Sequence, residues 1–108
     1  MKENGTYYIF YSSCGYADKC YSVGVARSKN FIGPYEKHPT PILFTRPQQT
    51  SKSWEGPGHC SVVKTLKGNF AIVYHAWPHG AIGTKRVMLV DHLTFENGWP
   101  KVGDGSPT

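Results

Sequence analysis

Hydrophobic and polar positions alternate with a period of two along most of the chain, and almost no stretch repeats every 3.6 residues. Alternation of this kind places successive side chains on opposite faces and is typical of half-buried β-strands. The pattern therefore predicts an all-β fold with hairpins at 6–28 and 59–77. The alternating runs are TYYIFYSS (6–13), CYSVGVARS (20–28), PILF (41–44), HCSVVKT (59–65), NFAIVYHAW (69–77) and KRVMLVDHLTF (85–95).

Turn signals separate these runs and repeat the same order of elements twice. Gly68-Asn69 is a hairpin dipeptide, and Gly-Pro-Gly at 56–58 reads as a turn before the strand at 59–65. The segments GPYEKHPT (33–40) and ENGWP (96–100) end the two copies. Short sheets repeated in this way are typical of β-propellers, whose blades surround a central channel. One or two such sheets cannot close a ring, so we expect the chain to be incomplete.

Composition and charge narrow the class of protein. The chain has 108 residues, of which 39% are hydrophobic and 18% charged, which fits one globular unit with a single core. Its net charge is +5, but the positive residues are scattered, and the longest run is Lys85-Arg86. This favours a solvated surface over a nucleic-acid partner. No stretch approaches the length of a membrane span, and the N-terminus has no signal-peptide core, so no membrane partner is expected.

Three cysteines leave at least one without a disulfide partner. Cys14 and Cys20 flank a predicted hairpin tip. A disulfide there would stabilise the fold by about 2 kcal/mol in an oxidising compartment, and two reduced thiols fit the spacing equally well. Cys60 lies in a predicted buried strand, where a free cysteine usually acts as a small apolar residue.

Four motifs in a fixed order carry a resemblance to a known family. They are Gly-Pro-Gly-His in WEGPGHCSVV, Tyr-His-Ala in FAIVYHAW, a lone arginine before the strand in KRVMLVDHLTF, and Gly-Trp-Pro. Together with YYIFYSSCGY and GPYEK, they resemble the C-terminal part of glycoside hydrolase family 43 over nearly the whole chain. The resemblance implies about two blades of a five-bladed β-propeller, with residues 1–53 in blade four and 54–108 as blade five.

The resemblance also implies a reaction. Family members hydrolyse O-glycosyl bonds in arabinose- or xylose-containing polysaccharides, so an extracellular parent enzyme and a polysaccharide or oligosaccharide substrate are expected. They invert the anomeric configuration of the sugar by means of a general acid and a general base about 6.5–9.5 Å apart. A third carboxylate adjusts the pKa of the acid. The family's acid precedes a Lys-x-Asn-Gly turn, here Lys2–Gly5, so it would lie before Met1. We expect no catalytic residue in the chain and little activity from it alone.

Glu55 is the carboxylate that most resembles a catalytic acid. It borders a Gly-Pro pair, as the family's acid does. The Gly-His and Tyr-His-Ala motifs that follow, however, place it at the start of blade five, where the family has no catalytic carboxylate. We expect Glu55 on the surface or rim of the fold, with acid catalysis as the alternative.

His59 is the candidate metal ligand. The resemblance implies that it begins the innermost strand of blade five and points into the central channel, where several family members hold calcium or sodium. A structural calcium ion is the expected cofactor. The alternative is a core histidine without a metal, because hard cations prefer oxygen ligands.

Three residues are candidates for substrate contacts. The resemblance places Arg86 on the substrate side, and a guanidinium group suits vicinal hydroxyls. Trp77 and Tyr16 lie in or beside the loops on that side, where they could stack on sugar rings. The alternatives are a surface arginine and aromatic rings that pack within the protein.

Two other functions remain open. The main alternative to the enzyme is a non-catalytic carbohydrate-binding β-propeller protein that uses the same aromatic loops. A weaker one is a basic nucleic-acid-binding β domain. For either propeller reading, the strand at 6–13 should keep one edge without a partner strand, because its neighbour would precede Met1.

Overall fold

The computed structural model describes residues 1–14, 20–45 and 54–107. Within these ranges there is no helix, and the all-β prediction is confirmed. No helix long and apolar enough to cross a membrane occurs in this described part. The strands are β1 (Lys2–Glu3), β2 (Thr6–Ser13), β3 (Ser22–Ser28), β4 (Glu36–Lys37), β5 (Trp54–Lys64), β6 (Phe70–Pro78), β7 (Val87–Glu96) and β8 (Trp99–Lys101).

The strands form two antiparallel sheets of four strands each. Their orders are β1-β2-β3-β4 and β5-β6-β7-β8. Both predicted hairpins are present, as β2–β3 and β5–β6. The sequence did not predict β1, β4 or β8, because two or three residues are too few to show alternation.

The prediction of a strand at 41–44 is wrong. Leu43 forms only an isolated bridge with Val23, and the N–H of Ile42 donates to the carbonyl oxygen of Val23 at 2.9 Å. Ile42 and Leu43 are both buried in the core. Their hydrophobicity therefore reflects packing, and Pro41 cannot donate to a ladder.

The Gly-Pro-Gly segment at 56–58 is part of β5 and does not form the turn that the sequence predicted. Trp54 pairs with Pro78 and Gly58 with His75 on β6. The register shifts between Glu55 and Gly58 and again between Gly58 and Ser61. A bulge absorbs extra residues while the strand continues, so β5 begins well before the predicted start at residue 59.

One core lies between the two sheets. Ile72 and Tyr74 on β6 are buried against a cluster that includes Tyr8, Val23 and Val25 from the first sheet. These residues alternate along their strands, so each sheet turns one apolar face towards the other.

A second set of contacts joins the sheets at the end where β7 turns into β8. The hydroxyl of Tyr8 donates to the carbonyl oxygen of Gly98 at 2.8 Å. The guanidinium carbon of Arg27 lies 3.9 Å from the ring centroid of Trp99, and its Nη1 also donates to Gly98. Trp99 therefore has the structural position that its Gly-Trp-Pro motif suggested.

At the opposite end, Tyr21 crosses β5 at Gly58. A Cβ atom on Gly58 would lie 2.0 Å from Cε2 of the buried Tyr21 ring, far inside van der Waals contact. Close by, the N–H of His59 donates to Oγ of Ser12 at 2.8 Å. The end of β2 and the start of β3 are thus held against β5.

The outer edge of β2 is largely without a partner strand. Only Thr6 and Tyr7 pair with β1 there, whereas β3 pairs with β2 along its whole length. Among the described residues no strand covers the rest of this edge, from Ile9 to Ser13. The strand that the resemblance implies beside this edge stays a prediction.

Of the two alternatives for Cys14 and Cys20, a disulfide or two reduced thiols, the structure has the disulfide. Cys14 and Cys20 form a disulfide with their Cα atoms 5.7 Å apart. Cys60 is a free, half-buried cysteine that packs against the core. Burial raises the pKa of its thiol, which is consistent with a packing role.

Gly58→Ala should destabilise the fold by about 1–3 kcal/mol, because the added methyl group overlaps the ring of Tyr21. Thermal or urea unfolding of the two proteins measures this cost. In a Tyr21→Leu background the same substitution should cost markedly less, since the overlapping ring is gone. An equal cost in both backgrounds would contradict the contact.

Candidate functional site

The candidate site lies at the end of the second sheet where β5 starts, β6 ends and β7 starts. Trp54 pairs with Pro78, and Ala76 pairs with Val87, so these three strand ends are adjacent. The Tyr21 side chain reaches the same end from the first sheet. Side chains that follow or precede these strands are therefore brought together from distant parts of the sequence.

Five residues at this end form what we call the His75 cluster: Tyr21, His59, His75, Trp77 and Arg86. The His75 ring stacks on Tyr21 with centroids 6.2 Å apart and lies 5.6 Å from the His59 ring. Nη1 of Arg86 is 3.2 Å from Nε2 of His75. The same guanidinium lies 5.6 Å from the ring centroid of Trp77. The cluster holds an exposed arginine between an imidazole and an indole.

The hydrogen bond between Arg86 and His75 fixes the form of the imidazole. A guanidinium can only donate, so Nε2 of His75 accepts and the neutral ring carries its proton on Nδ1. Burial lowers the pKa of His75, and the electrostatic effects of Arg86 and His59 lower it further. Nδ1 is buried and has no hydrogen-bond partner within the described part of the chain. His75 is therefore held neutral while it anchors Arg86.

The backbone of β5 aims His59 towards the cluster. Its φ of 53° lies in the left-handed region, which is uncommon for a residue with a side chain and occurs here at a bulge. Strained backbone at such a point often marks a functional position. The direction of the ring, towards His75, is a consequence of this bulge and could not be read from the sequence.

The sequence-predicted site residues have different surroundings. Arg86 is exposed just before β7, the position predicted for it. Trp77 is only 5% exposed, so most of its ring is covered by the protein. Tyr16 lies outside the described residues. The roles of these three residues as substrate contacts stay predictions.

The described residues by themselves do not fit a calcium site. They contain no group of three or more histidine, cysteine or acidic side chains that could hold a metal ion. His59 would provide one nitrogen, and its neighbour His75 is bonded to the cationic Arg86. Calcium instead takes six to eight oxygen ligands. Calcium binding at His59 therefore stays a prediction.

Glu55 is not on the surface, and that prediction is wrong. It is 1% exposed, and its Oε1 lies 2.9 Å from Nδ1 of His79. Its Oε2 accepts from the N–H of Gly80 at 3.3 Å. The error follows from the misplaced start of β5: Glu55 is inside a strand and opposite Trp77, where the predicted turn would have exposed it.

Sequence reasoning did not single out His75 or His79. A signal was present, because His75 and Trp77 share one side of β6 and His79 follows them at the same spacing of two residues, just after the strand ends. Histidine at two of these three positions, with an arginine eleven residues after the first of them, was the combination to notice. These residues come together at one end of the sheet only because β6 ends at Pro78.

Comparison with known proteins gives one consistent family. The family described as "Glycosyl hydrolases family 43" matches residues 1–100. The chain is 29% identical over 96 residues to a β-D-galactofuranosidase, xynD, of Aspergillus niger, and 33% identical over 75 residues to xylosidase/arabinosidase 43B of Humicola insolens. These alignments cover 88% and 68% of the chain but only 27% and 13% of the two relatives.

Solved structures show the same relationship. A thermostable family-43 glycoside hydrolase matches 94% of the chain with a TM-score of 0.84 and 37% identity. An α-L-arabinanase of Cellvibrio cellulosa, solved with arabinohexaose, matches 96% with a TM-score of 0.75 and 25% identity. The chain spans 33% and 35% of these two proteins, so it corresponds to about a third of each.

Removing the charge of Arg86 should raise the pKa of His75. In the wild type the ring should titrate below 6.5, and in Arg86→Met its midpoint should move upwards, because one cation no longer repels the imidazolium. An NMR titration of the histidine side chains measures both midpoints. Arg27→Met is the matched control, since Arg27 lies on Trp99 at the opposite end of the sheets.

The same shift affects stability. The pKa of His75 is lower in the folded protein than its unfolded value of 6.5. The contribution of His75 to the free energy of unfolding is therefore complete above pH 6.5 and is lost as the pH falls towards the folded pKa. His75→Gln should remove this part of the pH dependence.

A titration midpoint of His75 that is the same in wild type and Arg86→Met would contradict the proximity of the two groups.

Proposed function

The chain belongs to glycosyl hydrolases family 43, and from this membership we propose that it supplies part of the sugar-binding side of a longer glycosidase. It forms about two blades of a five-bladed β-propeller. We assign residues 1–53 to blade four and 54–108 to blade five. The two sheets, each with four antiparallel strands in chain order, support this division.

The proposed reaction of the parent enzyme is hydrolysis of O-glycosyl bonds in arabinose- or xylose-containing polysaccharides. Support comes from the names of relatives, which include a xylosidase/arabinosidase and an arabinanase solved with arabinohexaose. The galactofuranosidase of Aspergillus niger adds a furanose that is not a pentose. The proposed substrate class is therefore a polysaccharide or oligosaccharide whose cleaved sugar is a pentose or a hexose in the furanose form.

The proposed mechanism is inverting, with the general acid and base supplied by residues outside this chain. Such a pair needs two carboxyl groups about 6.5–9.5 Å apart, with the sugar and a water between them. Three of the described carboxylates are engaged elsewhere in the fold. Glu55 is buried against His79, Glu36 pairs with Arg27, and Glu96 pairs with Lys101.

The observation that carries the proposal is the anchored position of Arg86. Its guanidinium bonds to the neutral imidazole of His75 and lies over Trp77, so its direction is fixed before a sugar arrives. A preorganised guanidinium group can donate two hydrogen bonds to adjacent hydroxyls with little loss of side-chain entropy. The role of the chain in the reaction is to bind and orient the sugar.

The test is to express the full-length protein that contains this chain and to assay nitrophenyl arabinofuranosides, xylosides and galactofuranosides. Arg86→Ala should lower kcat/KM by about 10- to 100-fold, the loss expected for a charge-assisted hydrogen bond. Arg27→Ala is the control and should leave kcat/KM near the wild-type value, because Arg27 packs at the other end of the sheets.

Two results would contradict the proposal. The first is a folded full-length protein that binds oligosaccharides without hydrolysing any of the substrates, which would indicate the non-catalytic binding protein. The second is an Arg86→Ala enzyme with unchanged kcat/KM, which would leave the arginine as a surface residue.

A further inference from the structure

The buried pair of Glu55 and His79 lies beside the His75 cluster and has no role in the function proposed so far. A buried carboxylate is costly unless it is hydrogen-bonded or paired. Glu55 accepts from Nδ1 of His79 at 2.9 Å and from the N–H of Gly80 at 3.3 Å. Both donors belong to the segment that follows β6, so the carboxylate ties that segment to β5.

The tied segment is the loop of residues 78–84, which connects β6 to β7 just before Arg86. Gly80 has a φ of 75°, and two turns shape the loop, with Ala81 N–H donating to Pro78 at 3.0 Å and Thr84 N–H donating to Ala81 at 3.1 Å. The bonds to Glu55 fix His79 and Gly80, the second and third residues of this loop. The start of the loop is therefore held in place on the side of the sheet that is predicted to bind the sugar.

The pair also fixes the proton on the His79 ring. A carboxylate can only accept, so the bond to Glu55 requires a proton on Nδ1. In the neutral ring, Nε2 is then an acceptor. The His79 side chain is 54% exposed, although its partner is buried. The ring thus combines a fixed inner nitrogen with solvent contact at the end of the sheet where the arginine lies.

We propose that His79 binds the carbohydrate by accepting a hydrogen bond from a sugar hydroxyl at Nε2, and that Glu55 is the positioning residue that sets its tautomer and holds its loop. This assignment rests on the proposed function and adds an acceptor to the donors of Arg86. It makes the 78–84 loop a determinant of how tightly an oligosaccharide binds.

The first test measures the tautomer. In the full-length protein labelled with ¹⁵N at histidine, His79 should carry its proton on Nδ1. Glu55→Gln should reverse this, because the amide oxygen can accept from Gly80 while the amide NH₂ donates to Nδ1, leaving the proton on Nε2. Long-range ¹H–¹⁵N spectra distinguish the two forms, and loss of one signal in His79→Ala assigns it. The same tautomer in both proteins would overturn the role of Glu55.

The second test separates sugar binding from loop anchoring. His79→Asn keeps a polar group near Nδ1 for Glu55 but has nothing at Nε2, whereas His79→Gln places an amide near Nε2. We expect His79→Ala and His79→Asn to raise KM for an oligosaccharide by about 2- to 10-fold with kcat little changed. His79→Gln should recover part of this loss. His92→Asn, on exposed β7 surface, is the control and should leave KM unchanged.

The outcomes distinguish this inference from the proposed function. If His79→Asn has the wild-type KM and His79→Gln does not, the ring only anchors the loop and the inference is overturned. If the full-length wild type has no turnover, the proposed hydrolysis fails, and the same variants are compared by their oligosaccharide Kd. Equal Kd values for wild type and His79→Ala would then overturn the inference as well.

Discussion

The missing side chain at Gly58 is the constraint on which the arrangement of the two sheets depends. Only because β5 has no Cβ at this point can the Tyr21 ring cross the strand and stack on His75. The contact links the start of β3 to the second sheet and places an aromatic wall beside the histidine. It also explains why β5 contains an irregular Gly-Pro-Gly segment where a regular strand would be more stable.

Two polar anchors then support the surface that we propose for sugar binding. His75, neutral through burial and neighbouring charge, holds Arg86, and the buried carboxylate of Glu55 holds His79. In each case an inner polar group fixes the direction of an outer one. Binding groups supported in this way lose little freedom when a ligand arrives, and anchoring them on strands gives precision that a loop alone would lack.

The sequence predicted the long strands and their hairpins, because β2, β3, β6 and β7 each show enough alternation to reveal one buried face. It also predicted the position of Arg86, which follows from where β7 begins. It failed at residues 54–58, since glycine and proline indicate a turn locally, whereas pairing with β6 carries the strand through them as a bulge. The burial of Glu55 and the grouping around His75 depend on that pairing and on Tyr21, which are contacts distant in sequence.

The central claim is that this chain forms the sugar-binding part of two neighbouring blades in a family 43 glycosidase. The most direct measurement is to replace the matching third of the thermostable family-43 enzyme, to which the chain is 37% identical, with residues 1–108 and to assay glycoside hydrolysis. The account predicts that an enzyme lacking that third is inactive and that the replacement restores hydrolysis. A replacement that folds cooperatively but restores no hydrolysis would contradict it.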